Sequence, residues 1–502
     1  MENSIKPETS KSIFRNILYG FSTWILPLGL SFVATRLLVQ TLGNADYGIY
    51  ALVLGVVGYT FNVGFGRAAT KYIAEYRARG ESEKIQDVIS TSFFINIVVG
   101  LFGAAAICLA AEWLVANIFQ IGAENREKSV TALYFAALII FSLLVNQTFN
   151  AILQGFHRFD IYSKILNFNS LLILTGNILL AFYNYGIVSL FAWNLFINVL
   201  CGIYFIAGRK RFLPEFKINF KLKSDYLKLI LGYSAGIIGY QILANGLLLF
   251  ERIWITRQLG TENLTFYVIP MTLAIFIHGF VSSIILVIFP LASELKENQE
   301  KLLRLYTKAT KMVCFFVVFL GTTLIIESRL FLTLWLGADF AEKSTLLLIT
   351  HTLTFSLLAV LAVSWQMTEG LGYPAFNTFI FMICLIINVC VIIWLTESLG
   401  NMGVALGRLA GFGTIFFSIF YVEKWFFKRV QTDFWLRLLF KLGVSAALAG
   451  VIQKIIIDNF QIGWLTFIAS AACGGAIYCM SLLILGFVTT EEKLLLKNLV
   501  VR

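Results

Sequence analysis

The chain has 502 residues, of which 59 % are hydrophobic and 13 % are charged, and its mean hydropathy is +0.82. A soluble domain carries about 25 % charged residues, so the composition excludes a soluble globular protein and indicates a polytopic membrane protein. The formal net charge of +11 lies mainly in the termini and in alternate connections, a pattern that requires no nucleic acid partner.

The first element after the weakly basic N-terminus is an apolar segment of span length, and no small-residue cleavage site follows it. It is therefore predicted to be a retained first span and not a signal peptide. Apolar segments of about 20 residues recur along the chain, and they predict an all-α fold with about fourteen transmembrane helices. Basic residues favour cytoplasmic connections, so both termini are predicted to be cytoplasmic.

The turn after the first predicted span reads LGNADYGIY, from Leu42 to Tyr50. A turn 217 residues later reads LGTENLTFY, from Leu259 to Tyr267. Two further pairs of turns recur at nearly the same offset: QGFHRF from Gln154 with EGLGYP from Glu369, and YGIVSL from Tyr185 with MGVALG from Met402. Any single pair would be weak, but three similar turns at one offset indicate an internal repeat of six spans.

Six spans is an even number, so both copies have the same orientation in the membrane. Parallel repeats of this kind are one way in which secondary transporters are built. The predicted architecture has a six-helix lobe over 1–208, a basic cytoplasmic linker over 209–228, a second six-helix lobe over 229–425, and two extra helices with a cytoplasmic tail over 426–502.

Arginines inside apolar segments are the strongest candidates for function, because an ionisable group at the centre of a span costs about 2.5–3.5 kcal/mol. Arg36 lies in the first predicted span, Arg252 and Arg257 near the outer end of the seventh, and Arg408 in the twelfth. The first three could instead extend to the outer interface, and position alone leaves that alternative open. The amides Asn62 and Asn245 are candidate cavity residues, and interhelical hydrogen bonding is their alternative role.

Motifs of catalysis are missing from the sequence. It holds no phosphate loop of the type GxxxxGK[ST], and its three His residues make no HExxH or other metal spacing. The predicted outer connections are short and poor in Asp, which disfavours a membrane glycosyltransferase or polymerase. We therefore predict a protein that is not an enzyme, with no catalytic residue, bound metal or cofactor.

The stretch LGNADYGIYALVLGVVGYTFNVGFGRAATKYIAEYRARGE, from Leu42 to Glu81, resembles the amino-terminal signature of the polysaccharide biosynthesis flippases. In that signature a Leu-Gly and a Tyr-Gly open the second span, a Gly closes it, and an A..KYIAE run follows. These flippases belong to the multidrug/oligosaccharidyl-lipid/polysaccharide exporter superfamily. The resemblance implies fourteen spans, in two lobes of six with two extra helices, and a cationic cavity that receives a pyrophosphate-linked glycan.

The family pattern often has an Arg three residues before the Gly of the Leu-Gly turn. Arg257 keeps this position before Gly260, whereas the first copy has Gln40 there and Arg36 one helical turn earlier. The resemblance thus implies a substrate-binding set of four arginines and two amides: Arg36, Arg252, Arg257, Arg408, Asn62 and Asn245. The first span has no Asp or Glu, which disfavours a cation-coupled drug exporter.

The implied function is a flippase of the bacterial inner membrane. It would move undecaprenyl-pyrophosphate-linked oligosaccharide repeat units to the outer leaflet by alternating access, for O-antigen, capsule or exopolysaccharide biosynthesis. Its implied partners are that lipid-linked glycan, membrane lipids, a polysaccharide polymerase and a chain-length regulator. Two alternatives stay open: a lipid II or cation-coupled drug exporter of the same superfamily, and a membrane component or glycosyltransferase of glycan assembly.

Overall fold

The computed structural model describes residues 10–60, 65–209, 223–285 and 297–488, together with residues 288, 292 and 295. These residues form fifteen α-helices and one π-helical turn, so the prediction of an all-α protein is confirmed. The chain divides into two compact units, Met1–Thr265 and Phe266–Arg502.

The first unit begins with α1 and ends in the first turn of α8. Its helices are α1 (Ser10–Tyr59), α2 (Phe65–Ala78), α3 (Ser82–Trp113), α4 (Ala123–Gly155), α5 (Phe159–Phe182), α6 (Gly186–Arg209), α7 (Ser224–Leu259) and the start of α8 (Thr261–Ile285). The helical backbone of α1 is interrupted at Gly43, so the first two predicted spans correspond to its two parts. A π-helical turn, Leu114–Ile118, extends α3.

Helix α4 is the centre of the first unit and packs against α1, α2, α3, α5 and α6, while α1 also packs against α5 and α7. The short amphipathic α2 buries Ala69 and Ile73 in one core cluster with Ile89 and Ile152. Gly155 of α4 permits the close approach of α2, because an added Cβ would lie 2.8 Å from the Cβ of Ile73.

The second unit contains the rest of α8 and seven further helices within the described residues. These are α9 (Gln299–Ile326), α10 (Ser328–Leu336), α11 (Ala338–Gly370), α12 (Pro374–Leu399), α13 (Asn401–Phe427), α14 (Thr432–Asn459) and α15 (Trp464–Ile484). Helix α11 packs against α9, α10 and α13, and the core includes Val281, Tyr306, Val363 and Met367. Helices α14 and α15 pack against each other and against α9.

Eleven of the described helices are long and apolar enough to cross a membrane, by length and composition alone. This result confirms a multi-pass membrane protein. Helices α1 and α7 are outside the eleven. The count of fourteen spans therefore stays a prediction.

The repeated Leu-Gly turns share one backbone conformation. Gly43 has φ 75° and ψ 167°, and Gly260 has φ 92° and ψ 166°. Only glycine adopts this region readily, because a Cβ would collide with the backbone there. The glycine of the motif is thus required by the turn in both copies.

The second repeated pair of turns also has matching geometry. Phe156, His157 and Arg158 donate backbone hydrogen bonds to Ile152, Gln154 and Leu153, and the three residues from Leu371 to Tyr373 do the same with Met367, Glu369 and Thr368. His157 has φ 56° and Gly372, 215 residues later, has φ 93°. Both helices thus end in the same C-terminal cap with one left-handed residue.

Helices α12 and α13 pack through a stripe of glycines at every fourth position of α13: Gly403, Gly407 and Gly411. An added Cβ at Gly407 would lie 2.9 Å from the backbone nitrogen of Ile392, and one at Gly411 would lie 2.8 Å from the carbonyl oxygen of Cys384. Such stripes let backbones approach closely where no hydrophobic effect drives helix association. The stripe fixes the face of α13 that contacts α12.

The buried carboxylate of Glu423, near the end of α13, joins three helices. It accepts hydrogen bonds from Tyr306 Oη of α9 at 2.8 Å, from Trp435 Nε1 of α14 at 2.7 Å, and from the backbone nitrogen of Gln431 at 2.7 Å. Three donors offset much of the cost of burying this charge. Glu423 therefore anchors the start of α14 to the rest of the second unit.

Replacing Glu423 with glutamine is expected to destabilise the protein by about 2 kcal/mol, because the amide NH2 would face a donor and leave it unpaired. The measurement is thermal unfolding of the purified protein in detergent. Asp433→Asn is the matched control, since Asp433 is exposed in the first turn of α14. Equal melting temperatures for the two variants would contradict the anchoring role.

Candidate functional site

The two copies of the Leu-Gly turn contact each other inside the first unit. Thr265 Oγ1 donates to the carbonyl oxygen of Asn44 at 2.6 Å, and Gly48 lies against the carbonyl oxygen of Thr261. In the repeat, Asn44 corresponds to Thr261 and Gly48 to Thr265. The two contacts are therefore related by a local pseudo-twofold axis, as in an isologous interface. We call residues 44–48 and 261–265 the turn pair.

Arg252 of α7 packs against the second part of α1, and only 7 % of its surface is exposed. Its Nη1 donates to the carbonyl oxygen of Ala51, and its guanidinium lies 5.2 Å from the ring centre of Tyr59. Gly55 provides the space for this side chain, because an added Cβ would lie 2.7 Å from Arg252 Cδ. The Nε–H has no hydrogen-bond acceptor among the described residues. A buried guanidinium with a free donor is suited to an anion.

The other predicted residues of the first unit are in different environments. Arg36 and Asn245 are half-buried on α1 and α7, and Arg257 is exposed in the last turn of α7. Asn62 lies outside the described residues. Exposure of Arg257 agrees with either a surface role or a contact with an incoming anion. The role of all four residues in substrate binding remains a prediction.

Arg408 of α13 is one of the largest fully buried side chains, at 1 % exposure. Its Nη1 lies 2.8 Å from Met271 Sδ, and its guanidinium carbon lies 5.5 Å from the ring centre of Phe355. These contacts are with polarisable groups. Because Arg408 follows Gly407, it points about 100° away from the glycine stripe.

His351 of α11 is a fully buried neighbour of Arg408. Its ring packs edge-on against Tyr267 with centres 4.7 Å apart. Neither ring nitrogen has a hydrogen-bond partner among the described residues. Buried polar atoms normally have partners, so an orphaned imidazole beside a buried arginine marks this place as polar and incompletely satisfied.

The predicted repeat places an apolar residue at the position that corresponds to Arg408. Its counterpart 217 residues earlier is Phe191, which is fully buried and lies 5.3 Å from the ring of Tyr50. One copy thus fills the position with an apolar ring and the other with a cation. A buried arginine is costly where the other copy has an apolar ring, so the comparison favours the functional role that the sequence predicts for Arg408, and that role stays a prediction.

Several buried amides of the first unit make hydrogen bonds between helices. Three pairs join neighbouring helices: Asn177 Nδ2 to Tyr50 Oη at 3.2 Å, Asn146 Nδ2 to the Asn198 carbonyl at 2.9 Å, and Asn96 Nδ2 to Thr148 Oγ1 at 2.9 Å. These amides therefore have the interhelical hydrogen-bonding role that the sequence leaves open for such residues.

The sequence of residues 35–345 matches the family of polysaccharide biosynthesis proteins, which is more than half of the chain. The chain belongs to this family. The match includes the Leu-Gly turns, Arg36, Arg252 and Arg257, and it ends before Arg408. The resemblance seen in the sequence is confirmed.

Two relatives of this chain are candidate O-antigen transporters. The Shigella flexneri protein is 22 % identical over 402 residues, which cover 79 % of this chain and 94 % of the relative. The Salmonella typhi protein is 19 % identical over 312 residues, which cover 57 % and 67 %. These relatives are transporters, so the prediction of a transporter instead of an enzyme is confirmed at the level of the family.

Two solved structures share the fold. The lipid II flippase MurJ in an inward closed conformation has a TM-score of 0.71 at 15 % identity, covering 94 % of this chain and 99 % of that one. An inward-facing multidrug transporter of the MATE family has a TM-score of 0.65 at 16 % identity, covering 84 % and 96 %. At this identity the likeness shows the fold alone.

Sequence reasoning missed the residues around the two buried arginines. Gly55, which makes room for Arg252, looked like one more glycine of an apolar segment. His351, Met271 and Phe355 lie far apart in the chain, and no local pattern joins them to Arg408. The contact within the turn pair could have been predicted from the repeated sequence, because two equivalent turns of a twofold repeat can meet on its axis.

Proposed function

We propose that this chain is a flippase for undecaprenyl-pyrophosphate-linked oligosaccharide repeat units. It moves them from the cytoplasmic to the outer leaflet of the bacterial inner membrane, for O-antigen, capsule or exopolysaccharide biosynthesis. The observation that carries the proposal is a pair of arginines buried in apolar helices, Arg252 with a free Nε–H and Arg408 where the repeat has Phe191. Membership of the polysaccharide biosynthesis family supports the glycan as cargo.

The arginines act by replacing the hydration of the pyrophosphate. Moving a bare charge into hydrocarbon costs tens of kcal/mol, and guanidinium donors offset that cost with charge-assisted hydrogen bonds. Arg36, Arg257, Asn62 and Asn245 complete the proposed substrate-binding set. Outward movement of the anionic head is also favoured by about 2.3 kcal/mol per charge for each 100 mV of a potential that is negative inside.

Alternating access supplies the movement in this proposal. Movement of the two six-helix lobes, 1–208 and 229–425, opens the substrate cavity to each side of the membrane in turn. The linker over 209–228 and both termini are cytoplasmic. The turn pair then lies on the outer side, where its contacts hold the outer entrance closed. The isoprenoid tail stays in lipid, and a polysaccharide polymerase and a chain-length regulator receive the exported unit.

The test is depletion of this protein in its own cells, followed by mass spectrometry of lipid-linked glycans. We expect a complete undecaprenyl-pyrophosphate repeat unit to accumulate and the surface polymer to disappear. Accumulation of lipid II, or an unchanged lipid pool with altered drug sensitivity, would identify another exporter of the superfamily. A truncated lipid-linked glycan would identify an assembly component or a glycosyltransferase.

A further inference from the structure

A buried carboxylate, Glu327, lies where α9 ends and α10 begins. It falls between the apolar spans Gln299–Ile326 and Ala338–Gly370, and its exposure is 0 %. Its backbone nitrogen donates to the Thr323 carbonyl at 2.9 Å, which places it at the end of the last turn of α9. No step of the proposed transport uses this residue.

The surroundings of Glu327 come from α14 and α15. Gln453 of α14 donates from Nε2 to Thr323 Oγ1 at 3.1 Å, and its carbonyl oxygen faces the Ser470 hydroxyl of α15 at 3.4 Å. The Ser470 hydroxyl is also adjacent to the Glu327 carboxyl. Glu327, Thr323, Gln453 and Ser470 form one cluster, which we call the α9–α15 polar cluster.

Aromatic rings pack beside this cluster. Phe331 of α10 lies 5.4 Å from the ring of Phe467 and 6.2 Å from that of Trp464, both on α15. Phe331 also lies 5.5 Å from the ring of Trp335. These rings keep water away from the end of α9, so the carboxyl has little solvent to stabilise a charge.

The cluster has few donors for its acceptors. Apart from the adjacent Ser470 hydroxyl, no described residue offers a hydrogen bond to either carboxyl oxygen of Glu327, and Gln453 Oε1 also has no donor. The hydroxyl has a single proton, which also faces the Gln453 carbonyl at 3.4 Å. An ionised carboxylate only accepts, whereas one added proton turns the carboxyl into a donor and removes its buried charge.

No buried cation balances Glu327 in the described residues. The charged residues on the neighbouring ends of α10, α11 and α14 are all exposed: Arg329, Asp339, Glu342, Lys343, Lys454 and Asp458. Lys454 is paired with Asp458 at 2.8 Å. Helix α15 has no Asp, Glu, Lys or Arg, and its Cys473 and Cys479 are exposed. Its buried Tyr478 donates to the Phe315 carbonyl at 3.0 Å. The charged form of Glu327 would therefore be buried without a partner.

We propose that Glu327 is a proton-binding site, and that its protonated form holds α14 and α15 against α9. The ligand is a single proton, which the carboxyl carries as a hydrogen-bond donor to the polar cluster. Loss of the proton leaves a bare charge at this junction and weakens the attachment of the extra helix pair.

Burial raises the pKa of the Glu327 carboxyl to about 7, and the adjacent Ser470 hydroxyl acts in the opposite direction. A raised native pKa means that the folded state keeps its proton after the unfolded chain has lost it. Stability is therefore full below the unfolded pKa of about 4.3 and is lost as the pH rises through about 7.

The experiment is thermal unfolding of the full chain in detergent across this pH range, with infrared difference spectra of carboxyl protonation. We expect the melting temperature of the unmodified protein to fall by roughly 5 °C between about pH 5 and about pH 8. The protonated carboxyl band should disappear over the same range. The melting temperature of Glu327→Gln should stay constant over this pH range, and its spectra should lack the band. Glu342→Gln changes an exposed site and should behave as the unmodified protein.

Ser470→Ala tests the same site without touching the carboxyl. Removing the adjacent hydroxyl should move the midpoint of the infrared titration to higher pH. A pH profile that Glu327→Gln leaves unchanged, or a band that persists in that variant, would overturn the proposal. A midpoint that moves when sodium replaces choline at constant ionic strength would assign the site to a metal cation instead of a proton.

Discussion

Cells that carry Arg252→Ala together with Arg408→Ala are expected to lose nearly all glycan export. Each arginine supplies charge-assisted hydrogen bonds worth about 1.5–3 kcal/mol, so each single variant should lower export roughly ten- to hundred-fold. The measurement is the rate of surface polymer synthesis in depleted cells that express each variant, with the accumulated lipid-linked repeat unit as a second readout.

Controls separate substrate binding from folding. Arg329→Ala, at an exposed arginine of the second unit, should export at the normal rate. Arg408→Lys keeps the charge but loses the planar fork of donors, so an intermediate rate is expected. Gly55→Ala should reproduce the defect of Arg252→Ala, because the new Cβ displaces that side chain. Normal export by the double variant, at normal protein level, would refute the assignment of the arginines.

A leucine at position 48 is expected to abolish export by separating the turn pair. Gly48 lies against the carbonyl oxygen of Thr261 with no room for a Cβ. Any side chain there must push the two turns apart and break the hydrogen bond from Thr265 to Asn44. Overpacking of this kind costs about 1–3 kcal/mol, enough to remove a closed state of the outer entrance.

Gly58→Leu is the matched control for this prediction, because Gly58 is exposed on the same helix with open space around it. Accessibility of a cysteine placed at position 44 to a membrane-impermeant thiol reagent gives a direct readout. We expect Gly48→Leu to increase labelling at that cysteine and Gly58→Leu to leave it unchanged. Unchanged labelling with normal export would show that the turn pair is not a closure.

Several features of the fold follow directly from the sequence. The low charge content and repeated apolar segments determine a multi-pass helical protein, since backbone groups in lipid must be satisfied within each segment. The Leu-Gly turns could be placed because glycine alone adopts the conformation that Gly43 and Gly260 share. The repeated turn at Gly372 has a glycine at its left-handed position, while its counterpart His157 carries no such signal.

The candidate site was only partly visible. A charge in an apolar segment is costly whatever the tertiary contacts are, so the sequence alone points to Arg252 and Arg408. Burial could not be read from the same pattern, since Arg257 lies five residues after Arg252 and is exposed. Helical phase and the neighbouring helix decide which of the two is enclosed.

Glu327 and Glu423 show what the sequence could not settle. Both are glutamates near helix ends, where a solvated surface role is the ordinary expectation. The structure gives Glu423 one donor from α9, one from α14 and one from the backbone of Gln431 just before α14. Among the described residues, it gives Glu327 only the adjacent Ser470 hydroxyl. These differences depend on long-range contacts with α9, α14 and α15, which no local spacing contains. The sequence by itself determined a multi-pass helical protein and located the charges that stand within apolar segments, because such charges are costly. The tertiary structure decided which charges are enclosed and what each one faces, because both depend on long-range contacts.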